Sequence, residues 1–101
     1  MLEGETMTNT DDPTTQLLTD RGAAYGPFVD HAEITQTLKR AIATHCLRRG
    51  VVLTPDQQEA LDMICHKIGR IVNGNPNHLD SWDDIAGYAR LVADRLRGVV
   101  R

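Results

Sequence analysis

One segment of this chain admits a single structural reading. Leu61, Ile64, Cys65, Ile68, Ile71 and Val72 recur three and four residues apart, the spacing that places side chains on one side of an α-helix. The start of that helix is written at Thr54-Pro55-Asp56-Gln57. Thr54 suits the N-cap, and Gln57 is placed to complete a capping box. Pro55 suits the first helical position, where a missing N–H costs nothing. Its end is written at Asn73-Gly74-Asn75-Pro76, where glycine and proline prevent continuation.

The same spacing predicts a helix on either side. Asp30 or a neighbour opens the earlier one, with Ile34, Leu38, Ala41, Ile42, His45 and Cys46 on one face and Gly50 closing it. Asp80 or Ser81 is expected to cap the later one, with Trp82, Ile85, Ala86, Ala89, Val92, Ala93 and Leu96 on its buried face. Arg95, Arg97 and Arg101 near its end complement the helix dipole. Upstream, Thr14 or Thr15 could cap a short turn over residues 16–19 that breaks at Arg21-Gly22, ahead of Tyr25-Gly26-Pro27. Residues 1–13 are polar without an apolar period and are expected to be a disordered tail. The expectation is an all-α chain: residues 14–101 as a single helical domain, a small antiparallel bundle of about four helices.

Such a core is thin. Aromatic residues make up only 4% of the chain, so Leu, Ile, Val, Ala and Met must fill the interior. A domain this small buries only about 60–65% of its unfolded surface, so a homo-oligomer is expected. Eleven basic and fourteen acidic residues are interspersed for a net charge of -3, which argues against duplex DNA as a partner. With no basic leader and no apolar run approaching the ~20 residues of a membrane span, a cytoplasmic location without membrane attachment is expected. Cys46 and Cys65 fall within apolar helical patterns and read as buried thiols. The four histidines show no zinc-ligand spacing, and His45 reads as a hydrogen-bonded core residue.

The residues suited to chemistry lie on the last two helices. Opposite the apolar stripe, Glu59, Asp62, His66 and Arg70 project in one direction, a row that reads equally as a solvated face stitched by ion pairs. Lys67 sits at the edge between the two faces, where its stem can pack while its ammonium reaches a phosphate or a partner. Asp80-Ser81-Trp82-Asp83-Asp84 opens the last helix, with Asp84 and Tyr88 between its apolar stripe and solvent.

The run from Glu59 to Arg70, then Asn73-Gly74, then Asp80 to Ala89, together with Arg21-Gly22 and Tyr25-Gly26, resembles a family of small uncharacterised phage proteins over residues 17–97. Membership would place the chain in the host-cell cytoplasm. Some members carry a phosphofructokinase label, which finds no support here: there is no phosphate-cradling glycine loop and no α/β pattern. The two helices are more distantly similar to the MazG-like all-α nucleotide pyrophosphatases. That resemblance implies a Mg²⁺ site on Glu59, Asp62, Asp80 and Asp84, from Gln58-Glu59-x-x-Asp62 paired with Asp80-x-x-Asp83 or Ser81-x-x-Asp84. Gln58 stands where a charged ligand belongs, and His66, Lys67 and Arg70 would repel a cation while attracting phosphate.

Binding is therefore expected ahead of hydrolysis. The expected ligand is a nucleotide or cyclic nucleotide, held without any required cofactor by Tyr25, His66, Lys67, Arg70, Trp82, Asp84 and Tyr88, and sequestered to counter host defence. The alternatives are a Mg²⁺-dependent nucleoside triphosphate pyrophosphohydrolase and a helical adaptor whose Lys67, Arg70 and Asp84 form structural ion pairs. The binding reading rests on the polar edges of the third and fourth helices converging, so that Lys67 and Arg70 meet Asp84 and Tyr88, of the same or a neighbouring subunit, around one cavity.

Overall fold

The computed structural model describes residues 12–101. Four helices follow one another: α1 (Pro13–Tyr25), α2 (Phe28–Arg49), α3 (Pro55–Asn73) and α4 (Leu79–Leu96). There is no strand among the described residues, and the chain is all-α as its periodicity requires. No helix among them is long and apolar enough to cross a membrane. Most of the expected tail lies outside the described residues. Its last two positions are already structural: Asp12 caps α1, accepting from the Thr14 backbone N–H at 3.1 Å, and Pro13 is the first helical residue.

α1 does not break at Arg21-Gly22 but runs on to Tyr25, where Gly26 ends it with φ +78°. The start of α3 is as read, with Thr54 as N-cap and its backbone N–H donating to Gln57 Oε1 at 3.0 Å. Gly50 closes α2 in the left-handed conformation. The N-cap of α4 lies two or three residues before the expected one: it is His78, Asp80 lies inside the first turn, and Ser81 is buried against the bundle.

α3 is the centre of the bundle. It packs on α2 along one side and on α4 along the other, while α1 leans on α2 and α3. Both long pairs are antiparallel: His31 near the start of α2 meets His66 and Gly69 in the second half of α3, and Arg95 near the end of α4 meets Asp56 at the start of α3. Because neighbours flank α3 on two sides, every residue from Ala60 to Ile71 is at least partly buried. Of the polar row opposite its apolar stripe, Asp62, His66 and Arg70 are half-buried and Glu59 is exposed, while Lys67 is buried. Val72, at the end of the stripe, is 63% exposed.

Two further expectations fail. His45 lies exposed rather than in the core. On α4 the line packed toward the bundle is Ser81, Ile85, Tyr88 and Val92, whereas Trp82, Ala86, Ala89 and Leu96 are exposed. Alanines contribute little area, so the helix turns its Ile, Tyr and Val side chains inward instead. Among the described residues the buried apolar set is only Ala60, Cys65 and Ile71.

Candidate functional site

Two turns that are far apart in sequence are joined at one end of the bundle. The Asn73 side-chain amide donates to the Tyr25 and Pro27 carbonyls, both at 2.9 Å, and the Asn75 backbone N–H donates to the Ala24 carbonyl at 3.2 Å. The fit excludes side chains on both strands of the joint. A Cβ on Gly26 would sit 2.2 Å from the Asn73 carbonyl oxygen, and one on Gly74 would sit 2.5 Å from Tyr25 Cα. Gly26 also needs its positive φ, which other residues rarely adopt.

This joint fixes Tyr25 beside the last turns of α3. The Arg70 guanidinium lies over the Tyr25 ring, 4.2 Å from its centroid, a cation–π contact. The Tyr25 hydroxyl is 3.4 Å from His78 Nε2, and the two rings meet edge to face. Behind them, His31 Nε2 is 3.0 Å from the His66 backbone carbonyl, so that nitrogen carries the proton and donates it. The His31 and His66 rings stand edge to face with centroids 4.6 Å apart. Burial, and then the neighbouring His31 and cationic Arg70, Lys67 and Lys39, push the His66 imidazole down to about 4. At neutral pH His66 is therefore uncharged.

Between α1, α2 and the end of α3 lies a groove of about 580 Å³, lined by Leu18, Arg21, Gly22, Tyr25, Gly26, Pro27, Phe28, His31, His66 and Arg70. Two guanidiniums provide fixed positive charge at its polar positions. Phe28, 76% exposed, offers an open aromatic face. Such a lining suits a flat ring attached to an anion.

Of the residues singled out from sequence, Tyr25, His66 and Arg70 come together in this groove, and the other four do not. Lys67 Nζ is 2.9 Å from Asp84 Oδ2, an ion pair tying α3 to α4. The Trp82 indole N–H donates to the Pro76 carbonyl at 2.8 Å, beside the start of α4. Tyr88 lines a separate groove of about 300 Å³ with Asp56, Glu59 and Arg95. Arg70 and Tyr88 thus face different grooves of the chain, and the tyrosine that meets Arg70 is Tyr25.

The acids named for a metal are dispersed as well. Asp62 accepts from the Gln58 amide at 3.0 Å, Asp84 is held by Lys67, and Asp80 is largely exposed, 3.9 Å from His78 Nε2. Among the described residues no three His, Cys, Asp or Glu side chains gather as a metal site would need. Arg21, Phe28 and His31 were missed as site residues. Arg21 belongs to the Arg21-Gly22 motif, but nothing in the sequence says that the N-terminal helix folds over α3.

The pattern that carries the groove and its joint, from Arg21-Gly22 through Asn73-Gly74, lies within residues 11–96, which match the model of a family described as Domain of unknown function (DUF6378). The chain belongs to that family. No curated protein and no solved structure matches it. Family membership covers all four helices, so the groove is built entirely from family-defining chain rather than from an added segment.

Proposed function

We propose that this chain binds a nucleotide in the groove between α1, α2 and α3, Arg21 and Arg70 holding the phosphates and Phe28 or Tyr25 meeting the base. The observation that carries the reading is the Arg70 guanidinium set over Tyr25 at the mouth of an aromatic and basic groove. A guanidinium held over a ring keeps N–H groups available for phosphate oxygens and loses little freedom on binding. The neutral His66 adds a hydrogen-bonding group rather than charge. No cofactor is required. With the resemblance to phage proteins, the use we propose is sequestration of a signalling nucleotide, cyclic forms included, inside an infected cell.

Hydrolysis of a triphosphate is the weaker proposal, because Glu59, Asp62, Asp80 and Asp84 would have to move together to hold Mg²⁺. The adaptor reading has a specific observation in its favour, since Lys67 and Asp84 are already committed to each other.

A thermal-shift panel of mono-, di-, tri- and cyclic nucleotides tests the proposal. At a hundredfold excess over Kd a ligand adds about 2.7 kcal/mol to the native state, a rise of roughly ten degrees or more in Tm for a domain of this size. The rise is expected to be full with wild type and at most about half as large with Arg70→Ala, and the nucleotide released on heating is expected intact. No rise with any nucleotide refutes binding, and recovery of monophosphate from a triphosphate would favour the hydrolase.

A further inference from the structure

α4 carries more apolar surface than the described residues cover. Its inner line of Ser81, Ile85, Tyr88 and Val92 faces the bundle, and α3 is the only helix with which it has extensive contact among the described residues. A second line, Trp82, Ala86, Ala89, Ala93 and Leu96, follows the same three-and-four spacing about 100° further round the helix. Its two large members stand open, Trp82 at 53% and Leu96 at 63% exposure. Scattered exposed apolar residues are ordinary, but five in register along one helix form a continuous seam.

The charges beside the seam are segregated along the helix. Asp83 flanks it in the first turns, with Asp84 on the far side held by Lys67, while Arg90, Arg97 and Arg101 cluster at the other end around the buried Asp94 carboxylate, at 2.8, 3.2 and 2.6 Å. One carboxylate among three guanidiniums leaves that end net positive. A parallel neighbour of the same kind would oppose like charges, whereas an antiparallel one sets the acidic end against the basic end.

We propose that a second copy of this chain packs α4 against α4, antiparallel, about a twofold axis near Ala89. A twofold contact uses one patch twice and closes on itself. Ala86, Ala89 and Ala93 allow the two backbones to approach, and the Trp82 of each copy covers the Leu96 end of the other. Asp83 then faces the Arg97 end of the second copy. The contact adds the apolar burial that a core of Ala60, Cys65 and Ile71 does not supply within one chain.

The test is the mass of the full chain in solution by light scattering, followed over concentration together with tryptophan emission. Trp82 is the sole tryptophan, so its emission reports this seam directly. Wild type is expected at twice 11.2 kDa, with emission that shifts to the red as dilution returns the 11.2 kDa chain. Ala89 is exposed, so Ala89→Arg leaves the monomer fold intact, and that variant is expected at the single-chain mass with unchanged helical circular dichroism. Asp83→Arg is expected to raise the dimer dissociation constant at least tenfold. A wild type that stays at the single-chain mass up to its solubility limit overturns the proposal. So does an oligomer that Ala89→Arg leaves whole, or one whose dissociation does not move the Trp82 emission.

Discussion

The Lys67 ammonium of α3, with only 10% of its side chain exposed, lies 2.9 Å from the Asp84 carboxylate of α4, whose side chain is 48% exposed. The pair is unequal: lysine depends on the aspartate more than the aspartate depends on lysine, because only the buried charge has lost its water. Asp84→Ala strands that charge. Breaking a fully buried pair costs roughly 3–5 kcal/mol, and the openness of Asp84 brings the expected loss down to about 1–2 kcal/mol. Lys67→Met removes the charge along with the contact and is expected to cost less. Urea denaturation of the two variants checks the order, which reverses if the pair lies in water.

Gly69 sits where α3 passes close against α2. A Cβ there would lie 2.8 Å from His31 Cδ2 and from Thr35 Oγ1, and making room pushes His31 off the His66 carbonyl it donates to. Alanine is the better helix former by about 1 kcal/mol, but overpacking costs about 1–3 kcal/mol. Gly69→Ala is therefore expected to be net destabilising, by about 1 kcal/mol in equilibrium unfolding. Gly87, with open space around its Cβ position, is the control, and Gly87→Ala is expected to stabilise.

Acid acts on the bundle in two separate windows. His66 titrates at about 4 in the folded chain, below its ordinary 6.5, so between those values the unfolded chain binds the extra proton and stability rises with pH. Stability is expected to fall as pH drops from 6.5 toward 4, by on the order of 2 kcal/mol. His66→Gln flattens that slope. A lower window belongs to Asp94 and Asp56, each held down to about 2 by hydrogen bonds from arginine, Arg90 and Arg101 in the first case and Arg95 in the second. Their contribution is complete above the ordinary carboxylate value and drains away only as pH falls toward 2. Denaturant melts at pH 7, 4.5 and 2.5 separate the two.

Nucleotide affinity is expected to follow Arg70 rather than Tyr88. Removing one charge-assisted contact to phosphate costs about 1.5–3 kcal/mol, a loss of roughly ten- to a hundredfold in Kd for Arg70→Ala. Tyr88→Ala alters the α3–α4 groove and leaves affinity within about twofold. Titration calorimetry with the nucleotide that gives the largest thermal shift decides between them. Equal losses in the two variants would move the site away from the α1–α2–α3 groove.

The elements were legible in the residues. Thr54, Pro55 and Gln57 at one end and Gly74 at the other bound α3 by local chemistry alone, since a cap needs only its own neighbours. The periodicity of α2 and α4 and the closure at Gly50 are equally local. Tyr25, His66 and Arg70 were recognisable as chemistry-bearing for a similar reason: such side chains stood among short motifs and turns.

What the helices face was decided only in three dimensions. A helix at the centre of a bundle has two buried sides, and nothing in the apolar stripe of α3 says that Asp62, His66 and Arg70 of its polar row will also be half-buried. The same holds for α4, whose two apolar lines differ by a rotation that packing against α3 settles in favour of the larger side chains. Joining Tyr25 to Arg70 required the Asn73 amide to reach the Tyr25 and Pro27 carbonyls across 48 and 46 residues of chain. Periodicity measures where a side chain lies on its own helix; which neighbour it meets depends on contacts between distant segments, and those exist only once the chain has folded.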